Sequence, residues 1–387
     1  MQIGVLTLWQ SKDNYGQMLQ CYALQQFLRE KGHEPYLISY RFIKEERQYT
    51  SLWKMLLKVY AIYPLAYVFG LGRDKKKLAD EEFEKYCHEK KRNFDGFLKK
   101  YINLSKTYND LDDLQKNPPV ADCYVVGSDQ VWAQLLSKPE NSAFFLDFGD
   151  EKTKRIAYAA SFSMSEYPEN LRTKLAENLS RLNAVSVRET QGIGICNSVG
   201  TKATKVVDPT LLLGTKAFEN ISAKKMKSNQ YAFVYQLNIS SPDEIRWTDA
   251  RAYCSEKHWD MIATASSGYF EGREILKGAK YVYPSISEWL SLIKHSEIVI
   301  TTSFHGVVFS ILFHKNFVYI PLKGAHSGGN ARVLNLLSDL KIEEKSVSCG
   351  RTFNDAASFE IDYSKCNRLL KEKVAESSSF LLDAINS

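Results

Sequence analysis

The seven cysteines of this 387-residue chain never pair as C-x-x-C. Cys21, Cys87, Cys123, Cys196, Cys254, Cys349 and Cys366 are scattered and odd in number, which excludes zinc and iron–sulfur ligand spacing. Buried, reduced thiols in a cytoplasmic protein are the expectation, with no metal. Two phosphate-binding signatures are missing as well. No G-x-G-x-x-G follows the first strand and no G-x-x-x-x-G-K-[ST] occurs, which sets aside dinucleotide binding and a Walker loop. Charge of one sign is not in large excess: 51 Lys and Arg against 45 Asp and Glu give +6. That is no nucleic-acid footprint, although it suits an anionic ligand or membrane surface. Met1–Leu8 lacks the basic region of a signal peptide and reads as a strand. Internal repeats and low-complexity segments are absent.

Ser51–Gly72 looks toward a membrane, but Lys54, Lys58 and Pro64 interrupt it too soon for a span. Arg73 and Lys75 to Lys77 follow directly. Aromatics beside a basic cluster suit a segment lying on an anionic interface. A pair of helices packed on the protein itself is the other reading.

What is present is an ordinary globular composition, 44% hydrophobic and 25% charged, long enough for two domains. Met1–Leu8 and Glu34–Tyr40 read as strands around a helix from about Gly16 to Lys31, with Gly32 as its C-terminal cap. Asp74–Lys100 reads as a charged helix. Cys123–Val126, Arg155–Phe162, Ala184–Val187 and Lys205–Val207 are short apolar runs, each finishing in polar residues, with a helix over Asn170–Asn183. In a parallel sheet such ends line one rim and build a site. Gly214–Asn229 is polar and Lys-rich, a linker or surface helix. A second β/α series follows: strands at Tyr231–Leu237, Met261–Ala265, Ile298–Ile300 and Phe317–Pro321, with helices at Ile286–His295, Val307–Phe313, Asn330–Leu340 and Asp362–Asn386. The expected fold is α/β, two Rossmann-like domains facing across a cleft. Their expected extents are 1–213 (with an insertion at about 51–100) and 214–350, followed by a helical segment 351–387 that packs back on the first domain.

Within I-V-I-T-T-S-F-H-G-V-V-F-S-I, His305 stands at a strand's carboxyl end, where one imidazole can carry protons or merely cap the helix. Asn14-Tyr15-Gly16 sits in the first strand–helix loop, and Gly16 permits close backbone approach. In Gly127-Ser128-Asp129-Gln130-Val131-Trp132, Asp129 could accept a proton from a sugar hydroxyl while Gln130 and Trp132 hold a ring; Ser128 or Asp129 capping a helix is the alternative. Arg188 is either an ion-pair partner in the neighbourhood of Glu189 or a fork for carboxylate or phosphate. Asp208-Pro209-Thr210 reads as a rigid turn between the domains. Lys323, His326 and Arg332 flank a glycine-rich loop before a helix, which suits a phosphorylated substrate.

Four ordered blocks carry a resemblance: Asn14-Tyr15-Gly16 with the L-Q-C-Y-A-L helix, V-V-G-S-D-Q-V-W at Val125–Trp132, V-V-D-P-T-L-L-L at Val206–Leu213, and S-F-H-G-V-V-F-S-I at Ser303–Ile311. Over about residues 1–345 the chain resembles the polysaccharide pyruvyl transferase family. The resemblance implies a glycosyltransferase-B-like fold, with the acceptor on the first domain and phosphoenolpyruvate on the second. It implies transfer of pyruvate to a sugar of a surface polysaccharide (exopolysaccharide or capsule) or its lipid-linked precursor, as a cyclic ketal with release of phosphate and no cofactor beyond the co-substrate. His305 is then the acid and Asp129 the base. Arg188, Lys323 and Arg332 neutralise substrate charge, and Asn14, Tyr15, Gly16, Ser128, Gln130, Trp132, Ser303 and Gly306 shape the binding surface. Some relatives carry R-L-H where this chain has Ser303, Phe304 and His305, which removes one cation from that pattern.

Two other readings remain at this point. A nucleotide-sugar glycosyltransferase of the same plan would need an acid for a ribose, with Glu271 or Glu274 as candidates. A non-catalytic carbohydrate-binding subunit of polysaccharide assembly is the second.

Overall fold

The protein is seen in a computed structural model that describes residues 1–42, 52–62, 64, 73–133, 135–266, 274–348 and 350–387. The first sheet holds β1 (Gln2–Leu6), β2 (Glu34–Tyr40), β3 (Leu104–Tyr108), β4 (Cys123–Val126), β5 (Lys154–Ala160), β6 (Ala184–Val187) and β7 (Thr204–Lys205). Its order is β3-β2-β1-β4-β5-β6-β7 and every pairing is parallel. The second sheet holds β8 (Tyr231–Leu237), β9 (Asp260–Ser266), β10 (Lys280–Tyr281), β11 (Ile298–Thr301) and β12 (Asn316–Tyr319) in the order β10-β9-β8-β11-β12, again parallel throughout. The central strands are apolar on both faces because helices cover both sides, so β4 and β11 are buried along their whole length.

This is the expected α/β, glycosyltransferase-B-like pair of Rossmann-like sheets. In each, the order reverses beside the first strand, between β1 and β4 and between β8 and β11. Loops leaving such a switch point diverge and open a crevice at the strands' carboxyl ends. Residues 7–16, 127–132 and 302–306 lie there.

One hydrophobic cluster spans both sheets. Leu19 and Leu24 of the helix Tyr15–Glu30 join Leu211 and Leu212 of the helix Pro209–Leu213 and Val307 to Phe309 of the helix Phe304–Leu312. The Tyr15 ring stacks on Trp289 with centroids 5.2 Å apart, and its hydroxyl donates to Pro284 O at 2.8 Å. The two domains therefore meet in a buried aromatic seam under the crevice.

The helix Tyr363–Asn386 bridges the domains on the outside. Tyr363 donates to Lys315 O beside β12, while Lys154 Nζ of β5 donates to Ile385 O at the other end, both at 2.8 Å. At 24 residues the helix is about 36 Å long, enough to cross from one sheet to the other.

Some boundaries differ from the sequence reading. The stretch expected as one helix over Asp74–Lys100 is two, Arg73–Arg92 and Phe94–Tyr101, because Asn93 turns left-handed with φ 50°. The helix carrying the histidine starts at Phe304 rather than Val307, so His305 lies in its first turn.

Candidate active site

Asp208 organises the site. It follows β7 and caps the helix Pro209–Leu213, whose first residue is a proline with no N–H to satisfy. Its Oδ1 accepts from Thr210 N at 3.0 Å and Thr210 Oγ1 at 2.7 Å. Its Oδ2 accepts from Ser128 Oγ at 2.8 Å and Arg188 Nη1 at 2.7 Å. Arg188 Nη1 also donates to Ser128 Oγ at 3.2 Å. His305 Nε2 stands 3.7 Å from Oδ1. The ends of β4 and β6, the segment after β7 and the second domain's β11 loop thus converge on one buried carboxylate.

Burial alone would raise the Asp208 carboxyl. The imidazole of His305, the Arg188 guanidinium and the Thr210 hydroxyl outweigh it and hold the group below its usual range. A carboxyl depressed on folding stabilises the protein above its unfolded value, and that contribution fades as pH falls toward the folded value. Wild-type melting temperature should therefore drop below about pH 4, and more steeply than that of Asp208→Asn, which has no charge to lose. Parallel melting curves for the two proteins across that range would discredit the pairing.

His305 is fixed from both domains. Ser303 caps its helix by accepting from Gly306 N at 3.4 Å. Gly306 cannot carry a side chain, since a methyl there would lie 2.4 Å from Thr301 Oγ1. A methyl on Gly16 would lie 2.0 Å from His305 Nδ1. The start of the first domain's leading helix is therefore packed flat against the imidazole. His305 is only 6% exposed, and its Nε2 has no hydrogen-bond partner.

Arg188 spends only part of its fork. Its Nε and Nη2 are buried without a partner, and its Cζ lies 4.6 Å from the centroid of Phe304. Arg332 approaches the same ring at 5.9 Å. Its Nε donates to Gly329 O at 3.2 Å. Burial, then repulsion from Arg188, pushes Arg332 down to about 10, against the pull of Glu189 and Asp129. The two guanidinium groups open on a cavity of about 190 Å³, which Lys205, Asp208, Phe304 and Lys373 also line. His305 is not on its wall; it reaches the cavity's edge through Asp208.

The structure sorts the remaining candidates. Asp129 holds a left-handed backbone with φ 87° and accepts from Gln17 Nε2 at 3.3 Å. Gln130 donates to Ser163 Oγ at 2.5 Å. Asn14 caps the first helix through Gln17 N. Trp132, expected against a sugar ring, lies in the core instead. It is 0% exposed, stacked on Phe145 at 5.1 Å, and donates to Phe144 O at 2.8 Å. Tyr15 likewise belongs to the seam, where burial pushes its hydroxyl up to about 12. Lys323 is exposed at the start of the loop, away from the cavity wall. Trp132→Phe should accordingly lose about 1 kcal/mol of stability with an unchanged KM for any sugar acceptor; a raised KM would return the indole to the binding surface.

Two residues carry more than the sequence suggested. Asp208 is the anchor of the network rather than a mere turn, and it, not Glu189, pairs with Arg188. Glu189 is buried and accepts from Ser161 Oγ at 2.8 Å and Ser163 N at 3.2 Å. The available signal was an acid that follows a buried Val-Val pair and directly precedes a helix opened by proline.

The structure is similar to that of MnaA from S. aureus with UDP, at 12% identity and TM-score 0.48 over 98% of this chain and 91% of that one. An alpha-glucosyltransferase with UDP and a DNA 13-mer gives 9% and 0.49 over 98% and 90%. UDP-GlcNAc 2-epimerase from Neisseria meningitidis gives 9% and 0.44 over 97% and 100%. At these values the likenesses carry no argument about ligand or reaction. No curated protein matches. A family model described as polysaccharide pyruvyl transferase matches residues 14–323, from the loop before the first helix to the glycine-rich loop. That span takes in Gly16, Arg188, Asp208 and His305, and the chain belongs to the polysaccharide pyruvyl transferase family.

Proposed function

We propose that the protein moves pyruvate from phosphoenolpyruvate onto a sugar of a surface polysaccharide or its lipid-linked precursor, forming a cyclic ketal and releasing phosphate. The observation that carries this is the unspent edge of Arg188: its Nε and Nη2 are buried without a partner, and the residue lines a small cavity together with Arg332. A buried guanidinium with free donors is costly unless an anion completes it. With Arg332 on the same cavity, the two guanidinium groups match a carboxylate and a phosphate on one three-carbon molecule.

In this reading the donor reaches from the cavity past Asp208, where His305 protonates the methylene carbon, and a C–H bond forms as the double bond's electrons are used. The adjacent carbon becomes oxocarbenium-like. A sugar hydroxyl attacks it and loses its proton to Asp129, forming the first C–O bond. The C–O bond to phosphate breaks, and the phosphate leaves with the proton held by Asp129. A second hydroxyl adds to the same carbon, and the ring closes as its proton returns to the neutral imidazole of His305. Asp208 orients the imidazole and pairs with its charged form. Arg188 and Arg332 compensate the negative charge of the donor throughout, which is usually the largest share of such catalysis. Protonation and addition require no cofactor beyond the donor itself.

The nucleotide-sugar alternative gains nothing from the site. Glu274, one of its ribose candidates, accepts from Tyr283 OH at 2.6 Å. The other, Glu271, lies outside the described residues. The test is incubation with phosphoenolpyruvate and a panel of sugar acceptors, following phosphate and product mass. Phosphate release coupled to a ketal adduct is expected, and Arg332→Met should lower it by about 10²-fold. A thermal shift with nucleotide sugars but not with phosphoenolpyruvate would overturn the proposal.

A further inference from the structure

We infer that the helical arm of the first domain seats the protein on an anionic bilayer surface. The arm comprises the short helix Leu52–Leu57, the helical turn Lys58–Ile62 and the helix Arg73–Arg92. Val59 turns inward and the Tyr60 ring touches Phe83 edge-on at 6.1 Å, so the short pieces lean on the long helix. Apolar side chains on them nonetheless stay uncovered: Trp53 is 70% exposed, Tyr60 68% and Ile62 52%. Among the described residues Val120 is the only other large hydrophobic more than half exposed. Bare apolar side chains concentrated within ten residues mark a contact surface, whereas scattered ones do not.

Charge selects the occupant. The run from Ser51 to Gly72 contains Lys54 and Lys58 and no Asp or Glu, and Arg73, Lys75, Lys76 and Lys77 follow with Asp74 as the only acid among them. Indole and phenol rings prefer the headgroup level of a bilayer, and adjacent lysines attract anionic lipid. No helix among the described residues is long and apolar enough to cross a membrane, so the arm lies on the surface.

The arm's root is close to the site. The helix Arg73–Arg92 is about 30 Å long. At its far end Arg92 is buried at the domain seam, donating to Ala265 O at 2.6 Å with its Cζ 5.8 Å from the Tyr15 ring. Tyr15 adjoins Gly16, which abuts His305. A bilayer under the arm therefore holds the crevice near the membrane, where an acceptor on a lipid carrier would be met. The membrane contact itself does not depend on the proposed reaction.

The experiment is co-sedimentation of the full chain with vesicles of phosphatidylcholine alone and of phosphatidylcholine with phosphatidylglycerol in equal parts. Wild type should bind the anionic vesicles about tenfold more, with high salt removing the difference. The triple variant Trp53→Ser, Tyr60→Ser, Ile62→Ser should lose binding about tenfold, and the double variant Trp53→Ser, Ile62→Ser, which spares the Tyr60–Phe83 contact, should weaken it at an unchanged melting temperature. Lys54→Gln with Lys58→Gln should lose the preference for anionic lipid. Equal vesicle binding by wild type and triple variant overturns the inference. So does failure of wild type to bind, and so does a wild-type dimer that the triple variant breaks, which would assign the face to a second copy.

Discussion

Replacing Asp208 by alanine should remove about 3–5 kcal/mol of folding stability, the scale for breaking a buried ion pair from one side. The loss has a specific origin. Arg188, 4% exposed, would keep its charge with no carboxylate beside it, and the hydroxyls of Ser128 and Thr210 would lose their acceptor. The companion variant Arg188→Met removes the stranded charge. The double variant should regain most of the lost stability, because an apolar replacement of both partners is often nearly neutral. Urea unfolding of the two single variants and the double closes the cycle. If Asp208→Ala unfolds at the wild-type midpoint, the convergence of strand ends on this carboxylate holds nothing together.

The second large effect falls on activity. Gly16→Ala should cut phosphate release from phosphoenolpyruvate by about 10²-fold, because misplacing a reacting group by about 1 Å is that expensive. The new methyl would lie 2.0 Å from His305 Nδ1 and 2.3 Å from its Cγ, so the ring must swing away from Asp208 or the helix must retreat. Alanine's preference for a helix over glycine, about 1 kcal/mol, offsets part of the folding cost of that overlap. Two backgrounds separate the causes. In wild type the methyl should be severe; in His305→Ala it should change nothing further. A Gly16→Ala enzyme with wild-type kcat/KM would mean that the imidazole's position is irrelevant to turnover.

How much of this was legible depended on the range of the interaction. Strands apolar on both faces announced themselves, and β2, β4, β6 and β8 begin and end where their runs do. Edge strands did not. Leu-Ser-Lys-Thr-Tyr in β3 is mostly polar and half uncovered, and β10 is two residues long, so neither leaves an apolar run to read. His305, Arg188 and Arg332 were legible as chemistry because each sits where a strand or loop delivers it. The partners of these residues were not. Ser128 and Asp208 are 80 positions apart in sequence, and Gly16 and His305 still farther, so only the folded sheets reveal that they touch. Trp132 misled for the opposite reason: an indole next to an acid and an amide looks like a sugar platform, but the turn after Gln130 carries Val131 and Trp132 together into the core.

The Tyr15–Trp289 stack bears on how the enzyme breathes. Both rings and Tyr235 beside them are 0% exposed, and hinged opening of the two domains would put all three into water. Stripping large aromatics apart costs on the order of 2 kcal/mol for each side chain. Swinging the halves wide on every turnover is thus the expensive route. In the proposed reaction, traffic of donor and phosphate then falls to the cavity side lined by Lys205 and Lys373, where the ion pairs of both with Asp339 must part.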